Sequence, residues 1–129
     1  MKPIVLIAED ETNIVESLRF ILTRAGADVR ISYDGEQAIR DIANVKPHAV
    51  VLDVMMPRKD GFEVLKATRA NPEFETMPII MLTAKGQSAD REKALSIGAT
   101  DFITKPFANN EVVEVVLSKA SAYLAERSN

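Results

Sequence analysis

Carboxylates close two of the apolar runs in this sequence: Glu9, Asp10 and Glu11 follow Ile4–Ala8, and Asp53 follows Ala49–Leu52. Thr83 follows Ile79–Leu82, and Lys105 follows Phe102–Thr104. In an open parallel α/β sheet, ligands gather beyond the carboxyl ends of the strands, so these acids, the hydroxyl and the amine would converge on one rim. Like-charged carboxylates about 4 Å apart repel by roughly 4 kcal/mol at an effective dielectric near 20, and a divalent cation would relieve that repulsion. The ligands are oxygens, because the chain has no cysteine and His48 stands apart at the start of a strand-like run. Hard Mg²⁺, or Mn²⁺, is therefore favoured over zinc or copper.

No GxxxxGK or GxGxxG loop is present to cradle a nucleotide. Thiol chemistry is excluded for want of cysteine, and serine chemistry lacks a plausible base. An aspartate needs no base: with a reference pKa of about 3.9 it is ionised at neutral pH and can attack phosphorus directly. Asp53 is the natural nucleophile, with the cation and Lys105 neutralising charge on the transferred phosphoryl oxygens.

The elements that must position these groups follow from pattern. A length of 129 residues suits one domain, and 47% hydrophobic with 27% charged residues lies in the globular range. A chain of this size buries roughly two-thirds of its unfolded surface, enough to fold without disulfides. Net charge is −3, and no Lys/Arg run could track a phosphate backbone, so direct nucleic-acid binding is not expected. No apolar stretch is long enough for membrane insertion, and the N-terminus meets acids too early for a signal peptide; a cytoplasmic protein is expected.

Short apolar runs alternate with helically spaced segments five times, at Ile4–Ala8, Val29–Ser32, Ala49–Leu52, Ile79–Leu82 and Phe102–Thr104, which predicts a (βα)5 chain. Three runs are apolar throughout and belong inside a parallel sheet covered on both faces, whereas Val29–Ser32 alternates and is expected at an edge. Asn13 with Glu16 predicts a capping box, followed by a stripe of Val15, Leu18, Leu22 and Ala25 that stops at Gly26. Ser88 opens a helix that Gly98 closes, and Asn110 precedes a final stripe of Val112, Val113, Val116, Leu117, Ala120 and Leu124.

The pieces IVLIAEDE, VVLDVMMPRKDGFEVL, PIIMLTAK and GATDFITKPF resemble the receiver domains of two-component response regulators, in family order from Ile4 to about Leu124. The resemblance implies an α/β, doubly wound, flavodoxin-like fold with strand order 2-1-3-4-5, residues 1–129 forming a single receiver without an output domain. It implies that Asp53 takes phosphate from a phosphohistidine of a histidine kinase or phosphotransfer protein. Asp10 would bind Mg²⁺ directly, Glu9 mainly through water, and the carbonyl of Met55 would add a ligand. Thr83 and Lys105 would contact the phosphoryl group, Phe102 would be the switch aromatic, and Lys105-Pro106 would be cis. An unidentified downstream protein would read a surface formed by the fourth and fifth helices with the fifth strand.

Duller roles exist for each residue: acids at a helix N-terminus, Thr83 as strand filler, Phe102 as core, His48 as a structural residue at the start of its strand, and Met55-Met56 as an adaptable apolar pair. Met55 and Lys85, each two residues past a site residue, would overhang the phosphoryl group. The rival chemistry, a magnesium-dependent aspartyl-phosphate phosphatase, wants a second Asp where Met55 stands.

Overall fold

The computed structural model describes residues 1–84 and 88–127. Strand and helix alternate as β1 (Ile4–Ala8), α1 (Thr12–Arg24), β2 (Asp28–Ser32), α2 (Gly35–Val45), β3 (Ala49–Asp53), α3 (Gly61–Arg69), β4 (Ile79–Ala84), α4 (Ser88–Ile97), β5 (Asp101–Lys105) and α5 (Asn109–Arg127). Every strand pairing is parallel, in the order β2-β1-β3-β4-β5, the flavodoxin-like α/β arrangement that the resemblance implies. The uniformly apolar strands β1, β3 and β4 occupy the middle, where Val5–Ala8, Ala49–Leu52 and Ile79–Leu82 are fully buried. The alternating strand β2 is an edge.

Because side chains alternate across a strand, the sheet has two apolar faces. Leu6, Val50, Leu52, Ile79 and Met81 pack with Ile42 of α2, Leu65 of α3 and Ala94 of α4. Val5, Ile7, Val51, Ile80, Leu82 and Ile103 pack with Leu18 and Leu22 of α1 and with Val112, Val116 and Ala120 of α5. Arg69, at the end of α3, holds the turn between α4 and β5: its guanidinium donates to the carbonyls of Gly98 (2.8 Å) and Phe74 (2.6 Å) and to Thr100 Oγ1 (3.2 Å).

Several local expectations require correction. Asn13 does not cap α1; the N-cap is Glu11, without a side-chain bond, and Asn13 already lies in the first turn. The reason is Glu9, whose Oε2 accepts the backbone N–H groups of Asp10 (2.9 Å) and Glu11 (3.3 Å) and turns the chain early. Asn110 lies in the first turn of α5, ahead of the apolar stripe as expected. Strands β2 to β5 each exceed the expected runs by one or two residues, because parallel pairing carries the ladder past the apolar core. On α5 the deeper residue is Tyr123, with Leu124 half-buried. Arg127 donates to the Tyr123 hydroxyl at 2.9 Å, so the ring can be buried with its polar end satisfied. His48 is structural, as expected for the start of a strand: its Nδ1 accepts from the Ile4 N–H at 2.8 Å and its ring lies 6.5 Å from that of Tyr123.

Candidate functional site

Strand register delivers the sequence-selected residues to one rim. Glu9 follows β1 directly, Asp53 ends β3, Thr83 is the last residue but one of β4, and Lys105 ends β5. Lys105 Nζ lies 3.2 Å from Glu9 Oε1 and 3.2 Å from Asp53 Oδ1. Carboxylate oxygens of Glu9, Asp10 and Asp53 lie within 4.8 Å of one another. Glu9 is fully buried and Asp53 is 3% exposed, while Asp10 is open to solvent.

The loop after β3 is held by backbone bonds. Val54 N–H donates to the Leu82 carbonyl (3.2 Å), Gly61 N–H donates to the Val54 carbonyl (2.8 Å), and Met55 N–H donates to Asp53 Oδ1 (3.3 Å). A Cβ on Gly61 would collide with the Asp53 carbonyl and come within 2.9 Å of Val54 Cα, so only glycine lets α3 start this close to the acid. The start of α3 is itself secured by a reciprocal capping box between Asp60 and Glu63. That spacing, an Asp three residues before a Glu, was readable in the sequence.

Electrostatics of the rim are strained in a direction that suits a cation. Burial pushes the Glu9 carboxyl up to about 8; the hydrogen bond to Asp53 and its charge push the same way, and Lys105 opposes them. Burial disfavours the charge on Lys105, yet the carboxylates of Asp53 and Glu9 outweigh it and raise the ammonium above its ordinary value. One ammonium cannot balance Glu9, Asp10 and Asp53 together. A divalent cation can, and an all-oxygen donor set suits a hard one. The residues therefore fit Mg²⁺.

A cleft of about 410 Å³ opens over Asp53, lined by Glu11, Asp53, Val54, Met55, Leu82, Ala84, Asp90 and Lys105. Glu11 is one of the acids expected at this rim, whereas Asp90 was not expected here, because nothing local in the sequence brings the first turn of α4 to this cleft. Thr83 is 1% exposed and its Oγ1 has no hydrogen-bond partner among the described residues. An unpaired buried hydroxyl costs about 1 to 3 kcal/mol, which a phosphoryl oxygen could offset. The Met55 side chain stands at the mouth, 76% exposed. Phe102 lies half-buried, away from the cleft lining, against the core under α4. Lys85 lies outside the described residues. The Lys105-Pro106 peptide is cis.

Residues 5–117 match the sequence profile of the response regulator receiver domain. The chain belongs to that family. The receiver is 44% identical over 108 residues to the alkaline phosphatase synthesis transcriptional regulatory protein PhoP of Bacillus subtilis, a match over 84% of this chain and 44% of that protein. The chain thus spans less than half the length of that curated relative. Among solved structures, a response regulator from Chloroflexus aurantiacus superposes with a TM-score of 0.90 at 34% identity, covering 94% of this receiver and 99% of that chain. The receiver domain of a sensor histidine kinase from Pseudomonas aeruginosa, solved with magnesium coordinated in its active-site cleft, superposes with a TM-score of 0.86 at 28% identity, covering 94% and 99%. Receiver domains are signalling switches of two-component systems, and among the described residues of this one no helix is long and apolar enough to cross a membrane.

Proposed function

We propose that Asp53 accepts a phosphoryl group from a phosphohistidine of a histidine kinase or phosphotransfer protein in the cytoplasm. The observation that carries this reading is the buried Asp53 carboxylate held 3.2 Å from Lys105 Nζ beside the Glu9 and Asp10 carboxylates. An Asp53 oxygen forms the new P–O bond as the P–N bond breaks, and the electron pair leaves with the imidazole. Mg²⁺, or Mn²⁺, held by Glu9, Asp10, Asp53 and the carbonyl of Met55, would supply positive charge to the phosphoryl oxygens. Lys105, already between Asp53 and Glu9, turns its ammonium to the arriving phosphoryl group. Thr83 donates its unpaired hydroxyl.

Charge-assisted hydrogen bonds from Thr83 and Lys105 contribute about 1.5 to 3 kcal/mol each. Carrying a two-state element from 1:99 to 99:1 takes about 5.5 kcal/mol, so the two contacts are of the right size. Thr83 moves inward, Phe102 follows, and the α4-β5-α5 surface changes for an unidentified downstream protein. The receiver, residues 5–117, acts on that protein through noncovalent contacts. The phosphatase alternative lacks a second aspartate where Met55 stands.

Incubation with acetyl phosphate and Mg²⁺, followed by intact-mass measurement, tests the reading. One added phosphate on the wild type and none on Asp53→Asn is expected. Continuous turnover of the donor without a persisting adduct, or an equal adduct on Asp53→Asn, would overturn it.

A further inference from the structure

Arg91 sits in the first turn of α4 with its Cζ 3.8 Å from the centroid of the Phe102 ring, contact distance for a guanidinium lying on an aromatic face. Among the described residues the Arg91 side chain makes no hydrogen bond or ion pair, so the ring is what orders it. Phe102 pairs with Met81 across β4 and β5 and packs on the core that includes Ala94 and Ile97 of α4. One repeat of the pleat further along the same face, Thr83 stands opposite Thr104 with its hydroxyl buried and unpartnered. Asp90, the residue before Arg91, lines the cleft over Asp53. The first turn of α4 therefore meets the cleft through one residue and the aromatic through the next.

We infer that Arg91 is a positioning residue for the switch: stacked on Phe102, it holds the ring beneath α4 until charge on Asp53 displaces the turn that carries it. The inference rests on the reading of Asp53 as phosphoacceptor and Phe102 as the moving aromatic. A phosphoryl dianion on Asp53 places negative charge before the Asp90 carboxylate, and like charges repel across a short distance. Movement of that turn away from the cleft lifts Arg91 from the ring, which is then free to turn towards Thr83. An exposed cation–π stack shifts such an equilibrium by about two- to fivefold, enough to bias a switch without locking it.

The test follows the Phe102 ring resonances by NMR in the wild type, Arg91→Gln and Arg91→Lys, with and without Mg²⁺ and beryllofluoride as a phosphoryl mimic. Arg91 is exposed, so both variants are expected to fold, with circular dichroism as the control. Beryllofluoride is expected to shift the wild-type resonances. Arg91→Gln is expected to move the resting resonances part-way along the same line and to raise the rate of phosphorylation by acetyl phosphate about two- to fivefold. Arg91→Lys, which keeps the cation, stays near the wild type. If Arg91→Gln matches the wild type in ring position and rate while beryllofluoride still moves the wild-type ring, the role of Arg91 is overturned and the receiver reading stands. If beryllofluoride leaves the wild-type ring in place, the moving-aromatic reading fails and the inference fails with it.

Discussion

Lys105 Nζ lies 3.2 Å from Asp53 Oδ1 although their strands, β5 and β3, are separated by β4. The side chain reaches across the end of the intervening strand and makes a second contact, at 3.2 Å, with Glu9 beyond β1. Replacing Lys105 with Met leaves two buried carboxylates without this cation. A loss of about 1 to 3 kcal/mol is expected, below the usual cost of breaking a fully buried pair because the ammonium is partly solvated. Protonation of Glu9, whose carboxyl burial pushes up to about 8, relieves the cost, so urea unfolding should show a larger deficit at pH 8 than at pH 5. Equal deficits at the two pH values would count against the pairing.

Met55 stands at the mouth of the cleft with no group able to orient a water molecule. The phosphorylated protein is therefore expected to lose phosphate slowly by itself. Met55→Asn should accelerate that loss several-fold, since an amide beside the phosphoryl group can align the attacking water. Phosphate release from isolated phosphoprotein measures it; an unchanged or slower rate contradicts the prediction.

Arg69 ties α3 to the carbonyls of Gly98 and Phe74 and to Thr100. Arg69→Ala strands these acceptors beneath the corner and should destabilise the domain by about 2 to 4 kcal/mol, the sum of several hydrogen bonds to a charged group less partial resolvation. Arg69→Lys should recover little, because one ammonium cannot serve acceptors arranged for a planar fork. Chemical denaturation of the two variants decides it, and full recovery by lysine would show that charge alone matters.

His48 carries a pH dependence of definite sign. Burial, and after it the charge of Arg127, holds its imidazole below the ordinary value of 6.5, and the neutral ring accepts the Ile4 N–H. The unfolded chain takes up the proton first as pH falls. The stability is thus intact above about pH 6.5 and is lost progressively below it, by about 1 kcal/mol for the one hydrogen bond. His48→Asn, which offers an acceptor that does not titrate, should flatten the fall in urea midpoint between pH 7 and pH 5. A slope identical to the wild type would exclude His48 as its source.

The five apolar runs and the residues that end them were legible because side-chain periodicity is a local property of the chain. An apolar run flanked by helical spacing implies a strand covered on both faces, as β1, β3 and β4 are, and the alternating run implied the edge strand β2. Residue type alone pointed to an oxygen-ligand site and an aspartate nucleophile. Local pattern misled where a side chain acted against its neighbours: Glu9 turns the chain before Asn13 can cap α1, and Tyr123 takes the place expected for Leu124 once Arg127 satisfies its hydroxyl.

What the sequence determined, then, was an ordered set of strands ending in acids, a hydroxyl and an amine. Only the tertiary structure decided that Lys105 crosses β4 to reach Asp53, that Gly61 lies against the Asp53 carbonyl, that Arg69 clasps the corner after α4, and that Asp90 and Arg91 divide one helical turn between the cleft and Phe102. The physical reason is range. Backbone propensity and hydrophobic period act over a few residues, whereas these distances depend on how parallel pairing and helix packing bring remote segments together, which no local pattern encodes.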